Sequence, residues 1–204
     1  MMAGFIRTLT GAQARWVGTD PVRPDGSVPL RVYFANHTSH LDAPVIWASL
    51  PDAVRAKTRP VAAGDYWQQG RVRRYLSDRV FRCLCIERQK VTRANNPMSA
   101  MEAALEAGDS LILFPEGTRS TEDDPPVQEF KPGLWHLAKR CPQAELVPVF
   151  VENLNRILPK GGVLIIPLLA AVTFGEPVKP AEGETKQAFL ERARQAVQKL
   201  KRGT

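Results

Sequence analysis

The sequence predicts an α/β fold: a single domain with a mostly parallel central sheet flanked by helices, and an amphipathic helix at its N-terminus. Three observations carry this expectation. From Leu30 onward, short runs of β-branched, aromatic and aliphatic residues alternate with segments of helical period. Repeated strand–helix–strand units favour parallel pairing. The chain has 204 residues, 44% hydrophobic and 24% charged, which is the mix of an ordinary globular domain and excludes a disordered, collagen-like or rod-like chain. A domain of this size buries roughly 70% of its unfolded surface and needs no disulfide staples. The expected unit is residues 1–204, with the helix at 1–18 and a motif-bearing core at 30–151.

In the first eighteen residues Phe5, Leu9, Ala12 and Trp16 recur at helical spacing, with Arg7 and Arg15 elsewhere on the wheel. Such a stripe packs on a core or lies in a membrane interface. A polar link with Pro21, Pro24-Asp25-Gly26 and Pro29 comes next. Leu30 to Ala35 predicts a strand, Leu41 to Leu50 a helix stopped by Pro51, and Thr58 to Ala63 a weak strand. Asp65 to Phe81 reads as one basic helix, and Cys83 to Glu87 as a short strand. Asn96-Pro97 supplies an N-cap and a first-turn proline for a helix carrying Met98, Met101, Ala104 and Leu105, ended by Gly108. Ser110 to Phe114 is a buried strand, Leu134 to Arg140 a short helix, and Leu146 to Val151 a strand. Val163 to Ile166 and Ala171 to Phe174 read as paired strands. A last helix from about Lys186 to Arg202 shows Phe189, Ala193, Val197 and Leu200 on one face.

The net charge is +7 and the sequence pI about 9.6, so the surface should attract anions: phospholipid headgroups, nucleotides, nucleic acid or an acidic carrier protein. The basic residues are not set on an aromatic-studded sheet, so nucleic acid has no support beyond charge. Three cysteines without a C-x-x-C pattern read as reduced thiols in a cytosolic protein. The most apolar run, Val163 to Phe174, is too short for a span, which needs about 20 residues. The N-terminus reads as neither signal peptide nor anchor.

In an open parallel sheet, ligands gather beyond the carboxyl ends of the strands. Three predicted strands run there into Asn36-His37-Thr38-Ser39-His40-Leu41-Asp42, into Arg88, and into Pro115-Glu116-Gly117-Thr118-Arg119-Ser120. A histidine can take the proton of an attacking hydroxyl, and a carboxylate on its other ring nitrogen fixes the tautomer. Asp42 has a competing explanation, because Ser39-His40-Leu41-Asp42 also matches a helix-capping box. His37, His40 and Asp42 together suggest a metal-dependent hydrolase as an alternative, although no H-E-x-x-H is present. In the second motif, Gly117 suits a tight turn and Arg119 a bidentate grip on phosphate. Glu116 beside Arg119 either closes the turn as an ion pair or accepts a substrate hydroxyl. Lys131, before a helix start, is a further anion ligand. G-x-S-x-G, P-loop and G-x-G-x-x-G signatures are missing.

Asn36-His37-x-x-x-x-Asp42, with Phe114-Pro115-Glu116-Gly117-Thr118-Arg119-Ser120 about 75 residues later, resembles the glycerolipid acyltransferase family, which includes the 1-acyl-glycerol-3-phosphate acyltransferases. Arg88 and Leu146-Val147-Pro148-Val149 agree with two further blocks. The likeness implies an O-acyltransferase of phospholipid synthesis, with His37 as general base and Asp42 as its partner. Arg88, Glu116, Gly117, Thr118, Arg119 and Lys131 would bind the phosphate and glycerol of a lysophospholipid acceptor. The donor would be acyl-CoA or acyl carrier protein, with no metal and no other cofactor. It also implies a peripheral enzyme on an anionic membrane, at its cytoplasmic face. The block before Arg88 lacks the glycine many relatives carry.

Overall fold

The computed structural model describes residues 2–67, 69–87, 92, 95–120, 126–152 and 170–201. In chain order these form α1 (Met2–Thr10), β1 (Gln13–Trp16), β2 (Arg31–Ala35), α2 (Asp42–Ser49), α3 (Asp52–Ala56), β3 (Thr58–Ala63), α4 (Gly64–Trp67) and α5 (Arg71–Tyr75). A π-turn (Leu76–Val80), β4 (Leu84–Ile86), α6 (Pro97–Glu106), β5 (Ser110–Leu113), α7 (Gly133–Arg140), β6 (Glu145–Glu152), β7 (Ala171–Phe174) and α8 (Lys186–Gln198) complete them.

The sheet order is β1-β7-β6-β2-β5-β3-β4. The five strands from β6 to β4 are parallel to their neighbours, while β7 is antiparallel to β6 and carries β1 alongside. The α/β class and mostly parallel sheet are therefore as expected. Central strands covered on both faces bury every residue, and β2 and β5 do so along their whole length. Tyr33 and Ala35 of β2 join Ile112, Val147, Val149 and Phe174 beneath α1 and α2. Val32 and Phe34 point the other way, into a second core with α6, α7 and α8. The Asn96 side chain caps α6 at the Met98 N–H, 2.9 Å away, as its motif requires.

Two expectations need correction. The N-terminal helix ends at Thr10, not near residue 18, because Gly11 turns into the left-handed region at φ 58°. Gln13–Trp16 then pairs as a strand with β7, and Trp16 stacks on Phe174 with centroids 4.0 Å apart. The buried stripe of α1 is Ala3, Ile6 and Thr10; Phe5 and Leu9, expected to share one face with Trp16, are exposed. The basic helix expected at 65–81 is broken into α4, α5 and the π-turn. Gly70 at φ 77° separates the first two, and the wider turn carries Phe81 into a cluster edge-on to Trp47 and Trp67. The strand expected at 163–166 lies outside the described residues, and both edges of β7 are occupied by β1 and β6.

Candidate active site

β2 leaves the sheet through a side-chain hydrogen-bond pair. Buried Asn36 donates Nδ2–H to the Val151 carbonyl at 3.0 Å and accepts the Val151 N–H through Oδ1 at 2.8 Å. The amide replaces the next ladder step between β2 and β6, so the chain turns off the sheet at His37. An asparagine that mimics backbone pairing carries no spacing signal, and the sequence assigns Asn36 no role of its own.

One oxygen of Asp42 organises the next segment. Its Oδ2 accepts the N–H of Thr38 at 2.7 Å and of Ser39 at 2.8 Å, and lies 2.8 Å from His37 Nδ1. The two readings of Asp42 therefore coexist, through a single atom. Half of the capping box forms: Asp42 reaches back to the Ser39 N–H, while Ser39 Oγ accepts from Leu41 rather than from Asp42. With backbone donors on the same oxygen, Nδ1 is the protonated ring nitrogen, and Nε2 is left with its lone pair. The ring lies flat on Phe114, centroids 4.1 Å apart, and its side chain keeps 17% exposure while Asp42 has none.

β5 is the parallel neighbour of β2, and the loop after it grips the His37 peptide from both sides. Glu116 Oε1 accepts the His37 N–H at 3.1 Å, and the Ser120 N–H donates to the His37 carbonyl at 2.9 Å. Glu116 is only 4% exposed. Burial pushes its carboxyl up to about 7, opposed by hydrogen bonds from the His37 and Gln128 backbone. This corrects the ion-pair reading of Glu116: its Oε1 serves a backbone N–H, and no Glu116–Arg119 ion pair is found among the described residues.

Gly117 holds the turn at φ 74°, with its N–H donated to the Phe114 carbonyl. Lys131 is tied to the same turn, its N–H bonded to the Pro115 carbonyl at 2.9 Å and its side chain folded over Gly117. Thr118, Arg119 and Lys131 are exposed. His40 is pushed down to about 4 by burial first, then by the positive fields of Arg119, His37 and Arg73, with Asp42 pulling the other way. Sequence reasoning gives Arg73, on α5, no role in this field, because its region reads as a uniform basic helix. The expected convergence of three strand ends is met by two. β3 lies between β5 and β4, and Arg88 is outside the described residues.

Together the imidazole, its carboxylate and a rim of exposed cations sit where an open parallel sheet binds its ligands. The acyltransferase family profile matches residues 19–167, about three quarters of the chain. The chain belongs to the acyltransferase family. The glycerolipid branch expected from the two motifs fits the relatives. An N-acylphosphatidylethanolamine synthase of Arabidopsis thaliana is 29% identical over 169 residues, covering 77% of this chain and 58% of the relative. A 1-acyl-sn-glycerol-3-phosphate acyltransferase of Cocos nucifera is 25% identical over 190 residues, covering 88% and 56%. Its counterpart in Limnanthes douglasii is 27% identical over 175 residues, covering 83% and 59%. This acyltransferase chain thus spans less than two thirds of the curated relatives it matches. The crystal structure of the 1-acyl-sn-glycerophosphate (LPA) acyltransferase PlsC from Thermotoga maritima shares the fold, with TM-score 0.71 and 23% identity over 97% of this chain and 74% of that one.

Proposed function

We propose that this acyltransferase moves a fatty acyl group from a thioester donor, acyl-CoA or acyl carrier protein, to the hydroxyl of a lysophospholipid. The acceptor best supported is 1-acyl-glycerol-3-phosphate, which would give phosphatidate. The observation that carries the reading is the 2.8 Å contact of Asp42 Oδ2 with His37 Nδ1, which leaves Nε2 to act as base.

In this mechanism Nε2 takes the acceptor's hydroxyl proton as that oxygen attacks the thioester carbonyl. The new C–O bond forms, the C–S bond breaks, and the imidazolium returns its proton to the departing thiolate. Asp42 holds the tautomer and offsets the charge on the ring. No covalent acyl-enzyme is needed. Arg119 and Lys131, with Arg88, would hold the acceptor's phosphate, while Gly117 and Thr118 shape the turn that presents them. Glu116 holds the His37 backbone through Oε1, beside its expected part in binding the acceptor's glycerol.

The relative named for N-acylphosphatidylethanolamine synthesis supports a second reading, transfer to another lipid acceptor. The metal-dependent hydrolase on His37, His40 and Asp42 has no comparable support: among the described residues no three His, Cys, Asp or Glu side chains could hold a metal ion together. Among those residues no helix is long and apolar enough to cross a membrane. With a net charge of +7, the enzyme we propose works peripherally, at a cytoplasmic membrane face.

The deciding experiment is a thiol-release assay. It crosses acyl-CoA and acyl carrier protein donors with lysophosphatidate, other lysolipids and phosphatidylethanolamine, in wild type and His37→Ala. Acceptor-dependent thiol release lost in His37→Ala supports the mechanism; wild-type turnover in that variant overturns it.

A further inference from the structure

Among the described residues, the large apolar side chains left exposed fall on two segments. Met2, Phe5, Leu9 and Val17 belong to the N-terminal segment; Val72 and Tyr75, 72% and 61% exposed, belong to α5. Every residue of α5, Arg71-Val72-Arg73-Arg74-Tyr75, is exposed, so burial does not explain its composition. The adjoining π-turn anchors the helix: Ser77 is buried, and Leu76 and Val80 pack onto the core beneath α1 and α2. Val72 and Tyr75, three apart, share one face of α5. Beside Tyr75 a cleft of about 470 Å³ is lined by Arg71, Arg74 and Arg79, with Asp78 as its one carboxylate. Three guanidinium groups against one carboxylate make that surface strongly cationic.

Apolar side chains interleaved with arginine fit an interface that is both oily and anionic. An acidic protein offers carboxylates and apolar groups only at fixed positions, whereas a bilayer presents anions over apolar depth across its whole face. α1, whose Met2, Phe5 and Leu9 are also exposed, packs Ala3 and Ile6 into the core that receives Leu76 and Val80 of the π-turn. Arg74 of α5 lines a cleft with Gly64, Ile86 and Glu87, at the carboxyl ends of β3 and β4, the same edge of the parallel sheet from which His37 emerges after β2.

We propose that α5 is a docking element for an anionic lipid bilayer, using Arg71, Val72, Arg74, Tyr75 and Arg79 to seat the His37 site against the source of its acceptor. The inference deepens the reading of a lipid-acylating enzyme and rests on it for its purpose. Its test does not depend on acyl transfer.

The full chain is floated with phosphatidylcholine vesicles with and without phosphatidylglycerol, at low and high salt. Wild type should bind the anionic vesicles, more weakly at high salt. Val72→Ser/Tyr75→Ser and Arg71→Glu/Arg79→Glu should each bind about tenfold more weakly or worse, and Arg71→Lys/Arg79→Lys should bind almost as wild type, since a bilayer needs only positive charge. All three should keep wild-type circular dichroism and wild-type turnover on a short-chain, water-soluble acceptor. Equal vesicle binding by wild type and both weakening variants overturns the proposal, as does loss of binding in Phe5→Asp alone. Retained vesicle binding with lost use of acyl carrier protein also overturns it, and assigns the surface to the carrier. Vesicle binding without any thiol release would sink the enzymatic reading and leave the docking element standing.

Discussion

Glu116 accepts the backbone N–H of His37 at 3.1 Å, and from the same loop the Ser120 N–H returns a bond to the His37 carbonyl at 2.9 Å. The ends of β2 and β5 are thereby locked to each other at the peptide that carries the imidazole. A backbone held at both its donor and its acceptor leaves the side chain little freedom beyond its own torsions, which Phe114 and Asp42 then restrict.

Because burial raises the Glu116 carboxyl from 4.5 to about 7, the native state binds more protons than the unfolded chain between those values. Stability therefore falls as pH rises through that window and levels off above it. The loss is about 3 kcal/mol. Glu116→Gln keeps an acceptor oxygen for the His37 N–H but cannot ionise. Its stability relative to wild type should improve by that amount between pH 5 and pH 8, read from urea unfolding at each. A difference that is the same at both pH values would rule out a buried charge at Glu116.

His37→Ala and Asp42→Ala should both abolish turnover, yet only the second should damage the fold. Asp42 Oδ2 satisfies the N–H groups of Thr38 and Ser39, and leaving them unpartnered costs about 2–4 kcal/mol. The His37 ring is partly exposed and stacks on one aromatic ring, so its loss costs about 1 kcal/mol. Asp42→Asn keeps an acceptor for both N–H groups and should be nearly as stable as wild type, while slowing turnover by about 10³–10⁴. Thermal melts beside initial rates separate the three; an Asp42→Ala protein as stable as wild type would show that the loop is anchored elsewhere.

The motifs are legible because they sit directly after strands that local composition identifies, β2 and β5. That these strands are neighbours is not legible, for the pairing joins residues about 79 positions apart and has no local signal. The same limit explains the N-terminus. Helical spacing continues formally through Gly11 to Trp16, but Gln13–Trp16 is claimed by β7, more than 150 residues away. For Glu116, residue types suggest an ion pair with Arg119 or a bond to a substrate hydroxyl. Its partner is a backbone N–H, which every non-proline residue possesses and no letter of the sequence marks. Asn36 escapes for the same reason.

Gly117 should resist even alanine. At φ 74° a side chain costs about 1 kcal/mol, and a Cβ there would stand 2.6 Å from Lys131 Nζ and 2.7 Å from its Cε. The ammonium end is flexible and would swing away, so the fold survives while the cation leaves its place over the turn. Gly117→Ala should therefore lose about 1 kcal/mol of stability and raise KM several-fold for a phosphate-bearing acceptor, with kcat little changed. Lys131→Met should reproduce the KM effect without the stability loss. An unchanged KM in both would detach Lys131 from the acceptor.

His40 offers a direct reading of anion binding at the rim. Burial and the fields of Arg119, His37 and Arg73 hold it near 4, so it is neutral at physiological pH. The stability tied to that depressed value is present above about 6.5 and is lost as pH falls through 4. A phosphate seated beside Arg119 adds negative charge and offsets the field that disfavours the imidazolium. Titration followed by NMR should thus show the His40 value rising by about one unit when lysophosphatidate is added. Arg119→Ala should raise it in the unliganded protein and blunt the ligand's further effect. If lysophosphatidate leaves His40 where it was, the phosphate is held away from Arg119, and the acceptor enters the site in some other orientation.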